Sequence, residues 1–249
     1  MSEHEDWRSG EPLKDIPESV FADDDGSADA RLAQTLIRFS RGKASLADVV
    51  DRLQYARVLV PVLSEGEERF VGRHGVEQDQ VASTGVVALQ TADGRAALPI
   101  FTDVDAMRTW NAAARPIPAE GPRAALAAVT EGWSVMVLNP AMEAVVIPRP
   151  AVWALGQGHP WRPAVVDERV APDVREAIID AVSLDADVRH LDAMPGRSAE
   201  VAVVVGLVPG LDQASLDAAV SRIHEALASS SVVAERVDSM ELRLEAWSG

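Results

Sequence analysis

Two aspartates that lie two positions apart, Asp103 and Asp105, are the residues best placed for acid–base chemistry. Two carboxylates can act as general acid and general base when they face one cleft and their surroundings keep their pKa values apart. Both follow a strand predicted over residues 96–101, and α/β sheets bind ligands at the ends of their strands. The same acids, or Thr102, can instead cap the free amides of a helix that begins here. We favour the capping role and keep the catalytic role as the alternative.

Nucleophile and phosphate motifs are incomplete in this sequence. A hydrolase elbow has the form G-x-S-x-G, but the segment around Ser134 has Met136 where the second glycine is needed. Ser134 is therefore interpreted as the first residue of a strand. Gly156 and Gly158 are followed by Pro160 and form too short a run for a phosphate loop that leads into a helix. We predict no catalytic nucleophile and no cofactor.

Metal ligands are poorly grouped as well. The acidic run at residues 23–25 precedes Gly26, but an EF-hand loop whose acidic cluster ends at this glycine would need an oxygen ligand at Phe21 and a glutamate at Leu32. Cysteine is absent, so a zinc site would depend on histidines, and no two of these are three or four positions apart. The histidines are His4, His74, His159, His190 and His224. We predict no metal site.

The tryptophans divide into two groups. Trp110 and Trp133 are predicted to be core residues. Trp153 precedes, and Trp161 lies within, residues 156–165, a glycine- and proline-rich segment that we interpret as a linker. An aromatic ring with a polar N–H suits an interface. These two side chains either wedge two domains together or form a contact patch for another protein, and we favour the wedge.

A sheet and several helices must hold the strand-end residues in place. Apolar spacing predicts a short helix near residues 32–37 and a second over 46–53 that Ser45 caps. Residues 64–84 are charged and glycine-rich and are predicted to form a loop. Strands are predicted over 58–63, 86–90 and 96–101, the last two joined by an Asp-Gly turn.

Asn139 is a further polar residue at a strand end. It begins an Asn-Pro turn between strands predicted over 134–138 and 143–147. Residues 115–122 are rich in proline and are predicted to interrupt the secondary structure before a helix over 124–131. The predicted binding residues are Thr102, Asp103, Asp105, Asn139, Trp153 and Trp161.

The pattern starts again beyond the linker. Helical spacing recurs over residues 174–182 and 216–227. Strands are predicted over 188–191, 200–208 and 240–246, and 232–237 is a candidate for one more. The order of elements predicts helices on one face of a small antiparallel sheet. The fold class is therefore α/β (α+β), with two small domains that each pack helices on a mixed or antiparallel sheet.

Composition limits the classes of partner. The 249 residues carry a net charge of −16, and the lysines are limited to Lys14 and Lys43. Such a surface repels phosphate groups, so we expect no nucleic-acid and no membrane partner. The chain has no cysteine, no apolar run of the roughly 18 residues that span a bilayer, and no signal-peptide pattern at its N-terminus. These features predict a cytoplasmic protein.

Three segments follow from this reading. Residues 1–27 are rich in acids, prolines and glycines without periodicity and are predicted to be a disordered acidic tail. Residues 28–165 and 166–249 are predicted to form the two domains.

The order of these pieces resembles the SseB family, bacterial proteins whose name refers to enhanced serine sensitivity. A helical pair leads into the strand at 58–63, and a turn-linked strand pair ends in Leu-Pro-Ile-Phe-Thr at 98–102 before the helix that opens at Asp103. The segment 132–140, which closes in Leu-Asn-Pro, is similar to the family's second recurring stretch.

The resemblance covers about residues 30–245, and the part after residue 165 is similar to a separate SseB C-terminal domain. It implies an α/β fold. It implies no established enzyme chemistry, because the family has no agreed catalytic residues to carry over.

Two hypotheses about function result. The first is a non-enzymatic binding or regulatory protein that acts through protein–protein contacts, at the strand ends or in a crevice near Trp153 and Trp161. The alternative is a small-molecule sensor, with amino acids as first candidates, or an enzyme that uses Asp103 or Asp105 as acid or base. The oligomeric state is left open, with a dimer as one option.

Overall fold

The computed structural model of the chain describes residues 21, 23–63, 88–182 and 185–247. The helices in this part of the chain are α1 (Ala30–Ser40), α2 (Leu46–Leu53), α3 (Val104–Trp110), α4 (Gly121–Thr130), α5 (Arg149–Gly156), α6 (Pro172–Val182), α7 (Gln213–Ser229) and α8 (Ser231–Arg236). The strands are β1 (Arg57–Val62), β2 (Leu89–Gln90), β3 (Ala96–Ile100), β4 (Arg115–Glu120), β5 (Val135–Leu138), β6 (Val145–Ile147), β7 (Val165–Val166), β8 (Arg169–Val170), β9 (Val188–Pro195), β10 (Val201–Leu207) and β11 (Met240–Ala246). Residues 1–20 of the predicted tail and the loop predicted over 64–84 lie outside the described residues.

Local signals explain where the first two helices begin. The Asp29 side chain accepts hydrogen bonds from the amides of Arg31 and Leu32 and so caps α1. Ser45 and Asp48 form a reciprocal capping box at the start of α2. The helical spacing then turns the apolar side chains of both helices toward the sheet.

The sheet that carries the strand ends is mixed. Its order is β2-β3-β5-β6, with β3 and β5 parallel and the two outer strands antiparallel to their neighbours. Strands β1 and β4 form a separate antiparallel pair. A reciprocal pair of hydrogen bonds, Leu59 N to Phe101 O at 2.8 Å and Phe101 N to Leu59 O at 2.9 Å, joins this pair to the end of β3.

The prediction that residues 115–122 interrupt the secondary structure is wrong, because β4 occupies most of this segment. Leu59 donates its N–H to Phe101 and not to β4. The hydrogen bonds between β1 and β4 are therefore made by the residues of β1 that alternate with Leu59. Their partners in β4 all possess an N–H. Pro116 and Pro118 fall between them at the outer edge, where a missing donor breaks no ladder bond.

A second sheet has the order β11-β10-β9, with β10 parallel to β11 and antiparallel to β9. Residues 232–237, the candidate for one more strand, instead form α8 almost entirely. Val233 and Val237 are spaced by four positions and are both buried, so helical spacing decides the conformation here. The α+β class is confirmed.

Buried apolar residues form two large clusters. One lies among α1, α2, α4, α5 and the first sheet, and includes Leu98, Met136 and Trp161. The other lies between the second sheet and helices α6 to α8, and includes Ile178 and Ile223. The boundary between domains at residues 165 and 166 stays a prediction. Across the described residues, no helix is long and apolar enough to cross a membrane.

Candidate functional site

Thr102 and Asn139 meet at one edge of the first sheet. Asn139 directly follows β5, Thr102 lies two positions beyond the end of β3, and the carboxyl ends of these parallel strands lie side by side. The Asn139 side-chain oxygen accepts a hydrogen bond from Thr102 N at 3.1 Å, and its amide nitrogen donates to Thr102 Oγ1 at 3.1 Å. The two strand ends are therefore tied together by side chains.

The backbone of Asn139 turns sharply at this point. Its φ is +51°, a left-handed conformation that asparagine tolerates better than most residues. The Asn139 amide donates to Ile100 O at 2.9 Å, and the Asn139 carbonyl accepts from Met142 N at 3.0 Å. The turn begins the loop of residues 139–144 that joins β5 to β6.

Asp103 caps α3, as the sequence predicts. Its Oδ1 accepts a hydrogen bond from Ala106 N at 2.8 Å, and its Oδ2 accepts from Thr102 Oγ1 at 2.7 Å. Both carboxylate oxygens thus have partners within the protein. Asp105 lies in the first turn of α3, is exposed, and does not contribute to the groove that Asp103 borders. The structure brings Thr102, Asp103 and Asn139 together and leaves Asp105 apart.

Arg57 supports these residues from behind. Its guanidinium donates to Thr102 O at 2.8 Å and forms an ion pair with Asp24, with Nε and Oδ2 2.7 Å apart. It also donates to the carbonyl of Ser27. Sequence reasoning missed Arg57, because its partners are 30 to 45 positions away and no local pattern marks the contact.

A groove of about 650 Å³ opens between α1, the strand ends and the loop after Asn139. We call it the strand-end groove. Two of its apolar side chains are largely exposed, Ile37 at 51% and Met142 at 60%. Its lining consists of Ala28, Ala33, Leu36, Ile37, Phe39, Ser40, Thr102, Asp103, Leu138, Asn139, Met142, Glu143, Ala144 and Val145. Its walls are mostly apolar, with the hydrogen-bonded polar group at one end.

The second predicted group of residues is split by its exposure. Trp153 lies on α5 and is 50% exposed, whereas Trp161 is 8% exposed and belongs to the first core cluster. The indole Nε1 of Trp161 is buried without a hydrogen-bond partner. Both rings line a second groove of about 300 Å³ beside Arg236. The choice between a domain wedge and a partner patch stays open.

Asp238 connects residues on either side of Trp161. It accepts two hydrogen bonds from Arg95 Nη1, at 2.9 and 3.0 Å, and one from the Arg149 amide at 3.1 Å. Its own amide donates to Glu200 Oε2 at 2.7 Å. Burial, and secondarily the charge of Asp238, raise the pKa of Glu200 above its ordinary value.

The Asp103 carboxylate serves the helix that it caps. Its two oxygens are engaged by a backbone amide and a hydroxyl, which is the arrangement of a helix cap. No group of three or more histidine and acidic side chains that could hold a metal occurs in the ranges that the structure describes. The groove thus offers apolar walls and one structured polar end.

Comparison with known proteins gives one match. Residues 32–154 match the family model for the SseB protein N-terminal domain. No curated protein and no solved structure matches the chain in these comparisons. The matched residues run from the first turn of α1 into α5 and include nearly all of the strand-end groove. The similarity of the later residues to an SseB C-terminal domain stays a prediction. Through its N-terminal domain, the chain belongs to the SseB family.

Proposed function

We propose that the protein is a non-enzymatic binding protein whose strand-end groove receives an apolar segment of a protein partner. One observation carries the proposal: the polar side chains at the end of the groove are bonded to each other, while Ile37 and Met142 project from its walls into solvent. The interactions left for a ligand are therefore mainly apolar contacts.

The two exposed side chains suit a peptide better than a small polar molecule. A methionine side chain is flexible and polarisable, and such residues recur on surfaces that accept helices or extended segments. An acidic protein also favours partners that flank their apolar residues with basic ones. A segment with apolar side chains next to lysine or arginine fits this surface.

The second candidate is a small-molecule sensor, favoured by the volume of the groove. About 650 Å³ lies within the range of small-ligand sites, which is about 300–1,000 Å³. A panel of amino acids and other metabolites tested by thermal shift distinguishes the two. A ligand at about 100 times its Kd stabilises the protein by about 2.7 kcal/mol, and a shift of that size would favour the sensor.

Site-specific photo-crosslinking tests the binding proposal. A photoreactive side chain replaces Met142 in the groove or, as the control, Leu126, which is 50% exposed on α4 outside the groove. We expect a defined crosslinked partner from position 142 and none from position 126. Equal products from both positions would count against the groove.

Affinity for the purified partner gives the second measurement. Met142→Glu brings a charge into an apolar contact, so we expect the Kd to rise at least about tenfold, or about 1.4 kcal/mol. Leu126→Glu, the matched control, leaves it unchanged. Binding that tolerates Met142→Glu as well as the control contradicts the proposal.

A further inference from the structure

Strand β11 is an edge of the second sheet, and its free main-chain groups can be identified. Ser239 O accepts from Val201 N at 3.2 Å, and Trp247 N donates to Leu207 O at 2.9 Å. Residues of odd number therefore bond to β10, since alternate residues of a strand point to opposite sides. The amides and carbonyls of Met240, Leu242 and Leu244 point to the free edge, where no strand of the described chain pairs with them.

The same residues carry an uncovered apolar row. In the parallel register Met240, Leu242 and Leu244 lie beside Val201, Val203 and Val205, which are fully buried in the second core cluster. At the edge this face is open, because Met240 is 38% exposed and Leu244 is 41% exposed. Natural sheets usually protect an edge of this length with charge, proline or a covering element.

The opposite face of β11 carries charges in a self-complementary order. Glu241, Arg243 and Glu245 alternate with the apolar row. If an antiparallel second copy places Leu242 opposite itself, Met240 lies opposite Leu244, and Glu241 lies opposite Arg243. A register centred on Arg243 would instead oppose arginine to arginine and Glu241 to Glu245, which is unfavourable.

The Leu242 register therefore satisfies three requirements together. It pairs apolar residues on one face, opposite charges on the other, and edge amides with edge carbonyls in about six main-chain hydrogen bonds. The carboxylate of Glu241 is already held within its own chain, by the amides of Arg197 and Ser198 at 3.0 Å each and by an ion pair with Arg243. The acid and the base are therefore positioned before a second chain arrives, and the second copy extends one ion pair to an alternating group of four charges.

We propose that β11 is the interface of a homodimer, in which two copies pair antiparallel about Leu242 and join their three-stranded sheets into one of six strands. The contact is isologous, because the same edge serves both copies and closes the assembly at two. It lies outside the strand-end groove and is independent of the binding function proposed there.

Sedimentation equilibrium of the full chain tests the dimer. The chain has a mass of 26.6 kDa, and we expect a reversible species of twice that mass as its concentration rises to about 0.1 mM. A single species of monomer mass over that whole range would overturn the proposal.

Charge reversals test the interface and its register. Arg243→Glu places like charges opposite each other, so we expect the dimer Kd to rise at least about tenfold. Glu245→Arg is the matched control, since its opposite residue in this register is the neutral Ser239, and we expect no change. Dimerisation that survives Arg243→Glu overturns this edge, and loss with both changes overturns the register. Circular dichroism of each variant verifies the fold.

The absence of native cysteine allows a direct check of the geometry. Leu242→Cys introduces the single thiol of the chain, and a short bis-maleimide should link two copies through it. Ala218→Cys, at an exposed position on α7, is the control and should give no dimer product. Equal yields from the two positions would contradict a contact at β11.

Discussion

Asp103 caps α3, and the contribution of this cap to the free energy of unfolding can be measured apart from any role of Asp103 in the groove. Its two oxygens hold Ala106 N and Thr102 Oγ1. We expect Asp103→Ala to lower the free energy of unfolding by about 1 kcal/mol, the usual cost of a lost helix cap, in urea denaturation. Asp105→Ala, two positions away on the exposed surface, should change it by less than about 0.5 kcal/mol. Equal effects of the two substitutions would contradict the capping assignment.

Glu200 provides a prediction about pH. Burial raises the pKa of its carboxyl above the ordinary 4.5, so the folded chain binds the proton more tightly than the unfolded chain does. Its contribution to stability therefore falls as pH rises from the pKa of the carboxyl in the unfolded chain through its higher pKa in the folded chain. Glu200→Gln removes the charge and should stabilise the protein at pH 7 by up to about 1 kcal/mol, a modest gain because the carboxyl keeps some contact with water.

Thermal melts of Glu200→Gln and the unchanged chain across pH 4 to 8 measure this difference. The gain should shrink toward the acid end, where both states of the unchanged chain are protonated. If the stability gained through Glu200→Gln were smaller at neutral pH than at pH 4, the raised pKa of Glu200 would be contradicted.

Single residues were predictable from the sequence where the reason was local. Asp103 follows a strand and precedes a helix, and Asn139 begins an Asn-Pro turn, so their neighbours in sequence indicate their conformation. The contact of Arg57 with Thr102 O depends on how the chain returns 45 positions later, and spacing within a helix or strand carries no signal of it. The strand-end groove itself also depends on the packing of α1, which local patterns do not specify.

At the scale of elements, the start of α4 touches the end of α2 through backbone alone. A Cβ atom at Gly121 would lie 2.0 Å from Leu53 O, and Gly121 N donates to Ala56 O at 3.0 Å. We expect Gly121→Ala to cost about 3 kcal/mol in chemical denaturation, because backbone atoms cannot move aside as a side chain can.

Gly156→Ala is the control for that substitution. Its added methyl would meet the Leu126 side chain at 3.4 Å and the Leu126 backbone nitrogen at 3.5 Å, which are ordinary contact distances, and alanine is the better helix former. The free energy of unfolding should stay equal or rise by up to about 1 kcal/mol. Similar losses at both glycines would show that the close approach of α2 and α4 is not the cause.

Elements were predictable where one pattern dominated. The helices near residues 32–37 and 46–53 and the paired strands around Asn139 follow from apolar spacing, caps and turns. Strand β4 was missed because prolines normally signal a break, and only its pairing with β1 shows that they occupy positions that need no donor. Residues 232–237 were only a candidate strand, because a short apolar run fits both periods, and they form helix α8 almost entirely.

At the scale of the whole molecule, Asp238 connects the turn between β2 and β3 and the start of α5 with the second core cluster. It binds Arg95 and the Arg149 amide, and Val237 beside it lies in that cluster. We propose that the chain unfolds as two units that this junction couples. Asp238→Ala should then divide the calorimetric transition into two and lower stability by about 1.5–3 kcal/mol, the range for hydrogen bonds to charged groups.

Asp173→Ala is the comparison for this junction. Asp173 is more exposed and pairs with Arg236, away from Arg95 and Arg149, so we expect one transition and a smaller loss. A single unchanged transition in Asp238→Ala would show that the two clusters do not depend on this contact.

The reciprocal bonds between Leu59 and Phe101 also determine which protons can report on the first sheet. Both amides are buried, and each donates across the single bridge that joins β1 to β3. In deuterium oxide these two amides should exchange their hydrogens together whenever the β1–β4 pair separates from the four-stranded sheet, even while β3 and β5 remain paired. The rate of hydrogen exchange at these two positions therefore reports how often the sheet beside the groove opens partially.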